Sequence, residues 1–272
     1  MNLIQGALLG LVQGLTEFLP VSSSGHLVIL QKLTGFDNET SSFIFFDTLL
    51  HLGTLFAILL IFRYDIKKIV SSLINWNKVD EENRVYRRIS GYLAIGSIPI
   101  AVLGYSLSGI FEELFRSILV VGLMLIVTGA ILLVADRFSA GDRPHNNYSK
   151  IRLSDSIWVG VAQAMALIPG ISRSGITITA GLVRGMDRKT AASFSFLFSI
   201  PAIIGASIYS FLRIGSNANI DIALLLVGIF VAFISGIIAI KVLLYIMEKK
   251  RLRLFSVYCF ALGTLTLTLN FI

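Results

Sequence analysis

The run TEFLPVSSSGH, Thr16 to His26, sets a carboxylate, a proline, three consecutive serines, a glycine and an imidazole within eleven residues of an otherwise oily stretch. Glu17 follows Gln13 by four positions, so the two share one face of a helix. A carboxylate kept ionised there can bind a metal or act as a base. His26 stands four residues after Ser22 and three after Ser23, one helical turn away. An imidazole beside a hydroxyl activates a weak nucleophile or protonates a leaving group. Further along, PGISRSG, Pro169 to Gly175, encloses Arg173 between Ser172 and Ser174. An arginine in an apolar region is costly and by default functional, and its planar fork suits phosphate oxygens. Plainer readings stand beside these: serines capping broken helices, a Glu17–Arg173 pair made for packing, a histidine satisfied at a helix start.

Both polar runs begin a helix. SSSGHLVIL (Ser22, Ser23, Ser24, Gly25) and SRSGITITAG (Ser172, Ser174, Gly175) offer hydroxyls and open backbone N–H groups at a helix N-terminus, which favours anions. A hard cation such as Mg²⁺ or Ca²⁺ takes oxygen ligands and shares them with substrate phosphates, so Glu17 is a candidate metal ligand. Asp47 and His51, at the outer end of the first span, could line an entrance and are read as structural. His145 is read as solvated, Lys241 as snorkelling, and Asp136 with Arg137 as an interfacial charge pair. Walker, zinc-helix and GxSxG patterns do not occur in the sequence.

The elements that position these residues are membrane elements. Of 272 residues, 55% are hydrophobic and 14% charged, with a mean hydropathy of +0.82, against about 25% charged in soluble domains. The net charge of +7 does not point to nucleic acid, because the basic residues flank the apolar runs. The N-terminus lacks the basic region of a cleavable signal, and the single cysteine, Cys259, reads as a small apolar residue. Six spans are expected, at 45–63, 90–107, 117–135, 190–212, 222–247 and 254–271. Two apolar regions, 2–33 and 157–184, are broken midway by Pro, Gly and Ser. A polar break at membrane depth needs protein or a water-filled cavity around it, so each reads as a re-entrant hairpin, with a kinked span as the competing form. Of 23 Lys and Arg, 18 fall in segments 63–89, 136–155, 184–189 and 247–254. That puts these segments on the cytoplasmic face and both termini outside.

An offset of 150 aligns Gly10 with Gly160, Gln13 with Gln163, and Ser22, Ser24 and Gly25 with Ser172, Ser174 and Gly175. The expected fold is therefore an all-α polytopic membrane protein: one membrane domain over 1–272, six transmembrane helices plus two re-entrant hairpins. An inverted-topology repeat divides it into halves of approximately 1–140 and 150–272. Broken helices in matching positions of inverted halves mark binding sites. Inverted repeats also build transporters, so a lipid-phosphate or anion transporter or flippase is the rival class. Leu167 and Ile176 stand where the first half has Glu17 and His26, and that asymmetry favours chemistry over transport or simple binding.

GLTEFLPVSSSGH together with PGISRSG resembles the undecaprenyl pyrophosphate phosphatase family of the bacitracin-resistance type. The resemblance implies removal of the terminal phosphate from undecaprenyl diphosphate, recycling the lipid carrier for peptidoglycan synthesis. It implies a bacterial inner-membrane location, an outward-opening site and a divalent cation. By resemblance Ser23 matches the nucleophile, His26 the motif histidine and Arg173 the residue gripping the diphosphate. Gln13 and Glu17 match the acidic motif, with Gln13 a weak metal ligand because it carries no charge. Ser172, Ser174 and Thr177 match phosphate-neighbouring hydroxyls. The glycines at 122, 129, 228 and 236 permit close helix approach within one chain or between two copies.

Overall fold

A computed structural model describes residues 3–34, 41–77, 80–138, 148–214, 221–249 and 251–270, and His145 lies outside them. All regular structure among the described residues is helical. In chain order the helices are α1 (Leu3–Phe18), α2 (Ser23–Thr34), α3 (Ser41–Ile61), α4 (Arg63–Ile74), α5 (Glu81–Gly96), α6 (Ile98–Ser106), α7 (Ser108–Arg116) and α8 (Ile118–Phe138). They continue with α9 (Leu153–Met165), α10 (Arg173–Val183), α11 (Arg188–Ile214), α12 (Ile222–Glu248) and α13 (Arg253–Asn270).

Among the described residues, four helices are long and apolar enough to cross a membrane: Glu81–Ser106 (α5 running on into α6), Ile118–Phe138, Arg188–Arg213 and Ile222–Glu248. A fifth follows if α3 and α4, bent by 82° at Phe62, count together. α1 and α13 are apolar but shorter. The described part of the chain is thus that of an all-helical membrane protein with four or five helices of spanning grade, against the six spans expected: 45–63 falls on the bent α3–α4 pair and 254–271 on the shorter α13.

Both polar runs interrupt their helices as their proline chemistry requires. α1 stops at Phe18 ahead of Pro20, and α9 stops at Met165 ahead of Pro169, since proline donates no hydrogen bond and disfavours a helical residue before it. Each break restarts on a serine cap. Ser22 Oγ accepts from Gly25 N at 3.2 Å, and Ser172 Oγ accepts from Gly175 N at 3.1 Å. Each cap satisfies one open N–H of its new helix.

Helices approach closely through glycine. Gly6, Gly10 and Gly14 line one face of α1 against Leu224, Gly228 and Ala232 of α12, where a Cβ on Gly10 would collide with the Gly228 carbonyl oxygen. Gly160 of α9 meets the Gly96 carbonyl of α5 in the same way. Gly10 and Gly160 are mates at the 150-residue offset, and each backs against a helix from the other half of the chain. α8 and α13 cross where Gly122 and Gly263 each face the other's carbonyl oxygen, at 3.3 and 2.8 Å from a built Cβ. Gly129 faces Phe260, and Gly236 faces Phe18 and Ala57. All four glycines singled out in the sequence are therefore occupied in contacts inside the chain. In lipid, where apolar side chains gain nothing by leaving solvent, such close backbone packing drives association.

Asp136 does not pair with Arg137. It pairs with Arg188 of α11, Oδ1 to Nη2 3.4 Å, because consecutive helix residues point to different sides. A second pair, Asp155 Oδ1 with Arg184 Nε at 2.8 Å, ties α9 to the end of α10. Lys241 is exposed on α12, and Cys259 is buried on α13.

Candidate active site

The two broken tips meet. A Cβ on Gly25 would lie 3.4 Å from Gly170 Cα, and a Cβ on Gly175 would lie 3.4 Å from Pro20 Cβ, so each helix start rests on the turn of the other hairpin. Ser174 Oγ donates to the Leu19 carbonyl at 3.2 Å. From outside the hairpins, Thr128 of α8 donates to the Gly170 carbonyl at 2.9 Å and accepts from Ser172 N at 3.0 Å. The Cys259 thiol sits 3.7 Å from the Pro20 carbonyl. Ser22 and Ser24, like Ser172 and Ser174, bring their hydroxyls to 3.2 Å of one another. Thr177 donates to the Arg173 carbonyl at 2.7 Å and meets Ser195 Oγ at 2.6 Å. In this geometry Gly25, Ser174 and Gly175 make the joint between the tips, Ser22, Ser24 and Ser172 cap and brace the two helix starts, and Thr177 faces Ser195 of α11.

Glu17 stands at the centre of that joint. It is the last-turn residue of α1, 7% exposed, and donors surround its carboxylate. Ser23 Oγ donates to Oε2 at 2.6 Å, and Gln13 Nε2 donates to the same oxygen at 3.1 Å. Arg173 Nη2 donates to Oε1 at 2.6 Å from a residue 156 positions away. His51 Nε2 approaches Oε2 at 3.6 Å. Three elements, α1, the start of α2 and the start of α10, thus bring an acid, a hydroxyl and a guanidinium together. Arg173 keeps one nitrogen, Nη1, buried and without a hydrogen-bond partner, so half of its fork stays available to an anion.

His26 is placed otherwise than its spacing suggested. Its ring does not meet a serine hydroxyl. Nδ1 lies 2.7 Å from the Ser22 backbone carbonyl, and Nε2 lies 2.7 Å from the Tyr258 hydroxyl of α13. Ser22 has φ 69°, a left-handed conformation that costs a serine about 1 kcal/mol or more. Its carbonyl receives both the backbone N–H of His26, at 3.2 Å, and the ring nitrogen. The hydroxyl nearest the acid is that of Ser23, so the group placed to take the Ser23 proton is Glu17.

His51, read as structural, is a site residue that sequence reasoning missed. Asp47 lies one turn before it, its carbonyl 3.1 Å from His51 Nδ1 and one carboxylate oxygen buried without a partner. The available signal was an imidazole and an acid in an apolar span, which by default mark function.

A cation-binding role can be tested against the donor atoms. Gln13 is fully buried, and its Oε1 has no donor. An amide oxygen without a partner beside a carboxylate suits an oxygen-seeking cation. Among the described residues no three His, Cys, Asp or Glu side chains gather as a self-sufficient metal cluster. Gln13 Oε1 and Glu17 therefore fit a cation that draws its remaining ligands from a bound phosphate.

Comparison with known proteins agrees with these motifs. The family model described as bacitracin resistance protein BacA matches residues 6–265. A protein of Carboxydothermus hydrogenoformans named undecaprenyl-diphosphatase is 44% identical over 274 residues, covering 99% of this chain and 98% of its own. One of the same name from Desulforapulum autotrophicum is 42% identical, with all of both chains covered. Another, from Methanobrevibacter smithii, is 40% identical over 97% of this chain and 96% of its own. With a model spanning nearly the full length and relatives well above 30% identity end to end, the chain belongs to the bacitracin resistance protein BacA family.

Proposed function

We propose that the protein is an undecaprenyl-diphosphate phosphatase, releasing inorganic phosphate and returning undecaprenyl phosphate to cell-wall synthesis, and that it thereby confers bacitracin resistance. The observation that carries this reading is the Glu17 carboxylate, bonded at once to the Ser23 hydroxyl and the Arg173 guanidinium where the two tips meet. The terminal phosphate binds the unpartnered Nη1 of Arg173. Ser23 Oγ attacks its phosphorus while Glu17 Oε2, already 2.6 Å away, takes the hydroxyl proton. The phosphorus–oxygen bond to the lipid phosphate breaks, and undecaprenyl phosphate departs. Water then attacks the phosphoserine phosphorus, the bond to Ser23 Oγ breaks, Glu17 returns to the serine oxygen the proton it took, and the water's protons leave with the inorganic phosphate. His26 is the proton carrier of the site, its ring held between the Ser22 carbonyl and the Tyr258 hydroxyl. A Mg²⁺ or Ca²⁺ held by Gln13 Oε1, Glu17 and the diphosphate would supply charge neutralisation at the phosphates. Positioning and charge stabilisation account for most of the rate.

The membrane setting belongs to the same proposal. Six spans and two re-entrant hairpins form inverted halves, approximately 1–140 and 150–272, in the cytoplasmic membrane. The site opens outward and the polyprenyl tail stays in lipid. The reciprocal packing of Gly10 on Gly228 and of Gly160 on Gly96 supports that symmetry, and the clustering of Lys and Arg supports the orientation. Phosphate release from undecaprenyl diphosphate by purified protein in detergent, with and without chelator, tests the activity and the cation together. No release in either condition would overturn the reading, since a transporter needs two compartments and a phosphatase does not.

A further inference from the structure

The imidazole of His26 has two partners, and together they dictate its protonation pattern. A backbone carbonyl only accepts, so the nitrogen 2.7 Å from the Ser22 oxygen, Nδ1, carries the hydrogen. In the neutral ring Nε2 is then an acceptor. The group facing it at 2.7 Å is the Tyr258 hydroxyl, which donates. The two rings are parallel to within 2°, their centroids 5.6 Å apart. Tyr258 comes from the far end of the chain, 232 residues away, and no motif includes it.

The tyrosine is held in place by the rest of its helix. Phe255 and Cys259 pack with Val21 and Leu132 beside the first tip. Leu262 packs with Val28, Val121 and Leu125. Ser256 Oγ donates to the Gly129 carbonyl at 2.7 Å, fixing the start of α13 on α8. The Tyr258 residue is 45% exposed, so its ring contributes little to the core that docks α13. What it adds to the first tip is the hydroxyl on His26.

We infer that Tyr258 is a positioning residue of the active site, its hydroxyl bonded to Nε2 and fixing the His26 ring in the Nδ1–H form. This rests on the reading of His26 as the proton carrier. The second half of the chain then completes the first tip at two points: α10 supplies the guanidinium on Glu17, and α13 supplies the donor on His26.

The test uses the full-length protein in detergent, labelled with ¹⁵N-histidine. The sequence has only three histidines, so imidazole resonances are assignable with a His26→Gln variant. The expected wild-type signal is an Nδ1–H ring whose Nε2 accepts a hydrogen bond. In Tyr258→Phe that nitrogen should shift to the unbonded position. Phosphate release by the same variant should fall about tenfold in kcat, with KM within about twofold and an unchanged melting temperature. In a His26→Ala background the same change should cost nothing further. Unaltered His26 resonances in Tyr258→Phe would overturn the inference, and so would full kcat or losses that multiply with His26→Ala. If the wild-type protein released no phosphate, the proposed activity would fail, while the resonances would still decide the tautomer and the tyrosine's part in it.

Discussion

Glu17→Gln is the sharpest perturbation of the site, because it preserves volume while changing what the residue can accept. The carboxylate receives Ser23 and Arg173 at 2.6 Å each and Gln13 at 3.1 Å, with His51 at 3.6 Å. A glutamine offers one oxygen and one NH₂ group. If the oxygen faces Arg173, the NH₂ faces the Ser23 hydroxyl. If it faces Ser23, the NH₂ meets the guanidinium donor for donor. Either way a short bond to a charged group is lost, worth about 1.5–3 kcal/mol. The remaining member of the ion pair is left partly buried without its counter-charge, a cost of about 3–5 kcal/mol when one partner of a buried pair is removed. Loss of the proton acceptor adds about 10²- to 10⁴-fold to the rate penalty. At about 1.4 kcal/mol per tenfold, kcat should fall by at least about 10³. The assay is phosphate release from undecaprenyl diphosphate in detergent, with a melting curve on each variant to show that it is folded. A folded Glu17→Gln protein retaining more than about a tenth of wild-type kcat would refute the assignment of Glu17 as the base.

Other consequences are more quickly stated. Arg173→Lys keeps the charge but loses the fork that holds Glu17 and an anion at once, so kcat/KM should fall by about two orders of magnitude in the same assay. His51→Phe removes the imidazole from Glu17 Oε2 while preserving ring volume, and a kcat reduced about tenfold with an unchanged melting temperature is expected. Gly10→Val drives a side chain into the Gly228 carbonyl and should abolish a sharp melting transition in detergent, whereas Gly91→Ala, with open space around it, should melt as wild type. Rapid quenching with substrate labelled in the terminal phosphate should trap label on Ser23. Single-turnover phosphate release with no labelled protein would put water in the serine's place.

The parts legible in the sequence are those carried by local rules. Gln13 and Glu17 were placed on one helix face by their spacing, and a hydrogen bond joins them at 3.1 Å. Pro20 and Pro169 announced the breaks, and Ser22 and Ser172 announced the caps that follow. The illegible parts depend on distant elements or on orientation. Thr128 holds the second tip and Tyr258 holds His26, but each is a lone polar residue in an apolar helix, and nothing in its neighbours says which helix it will face. His26 sits within a turn of Ser22 and Ser23, and spacing alone suggested a hydroxyl partner. The left-handed Ser22 instead turns a carbonyl toward the ring. Asp136 and Arg137 are adjacent in sequence and therefore point apart, so Asp136 found Arg188. Helix length also hid the number of crossings: α1 and α13 are apolar yet short, and α3 bends sharply into α4.

A double-mutant cycle on Glu17 and Arg173, read as kcat for phosphate release from undecaprenyl diphosphate, tests most directly whether the two tips make one catalytic centre. Glu17→Ala and Arg173→Ala should each lose about 10³-fold or more, and the double variant should be no worse than the poorer single, because each residue works through the other. Losses that multiply, or near-normal turnover in either single variant, would contradict a shared centre at the meeting of the tips.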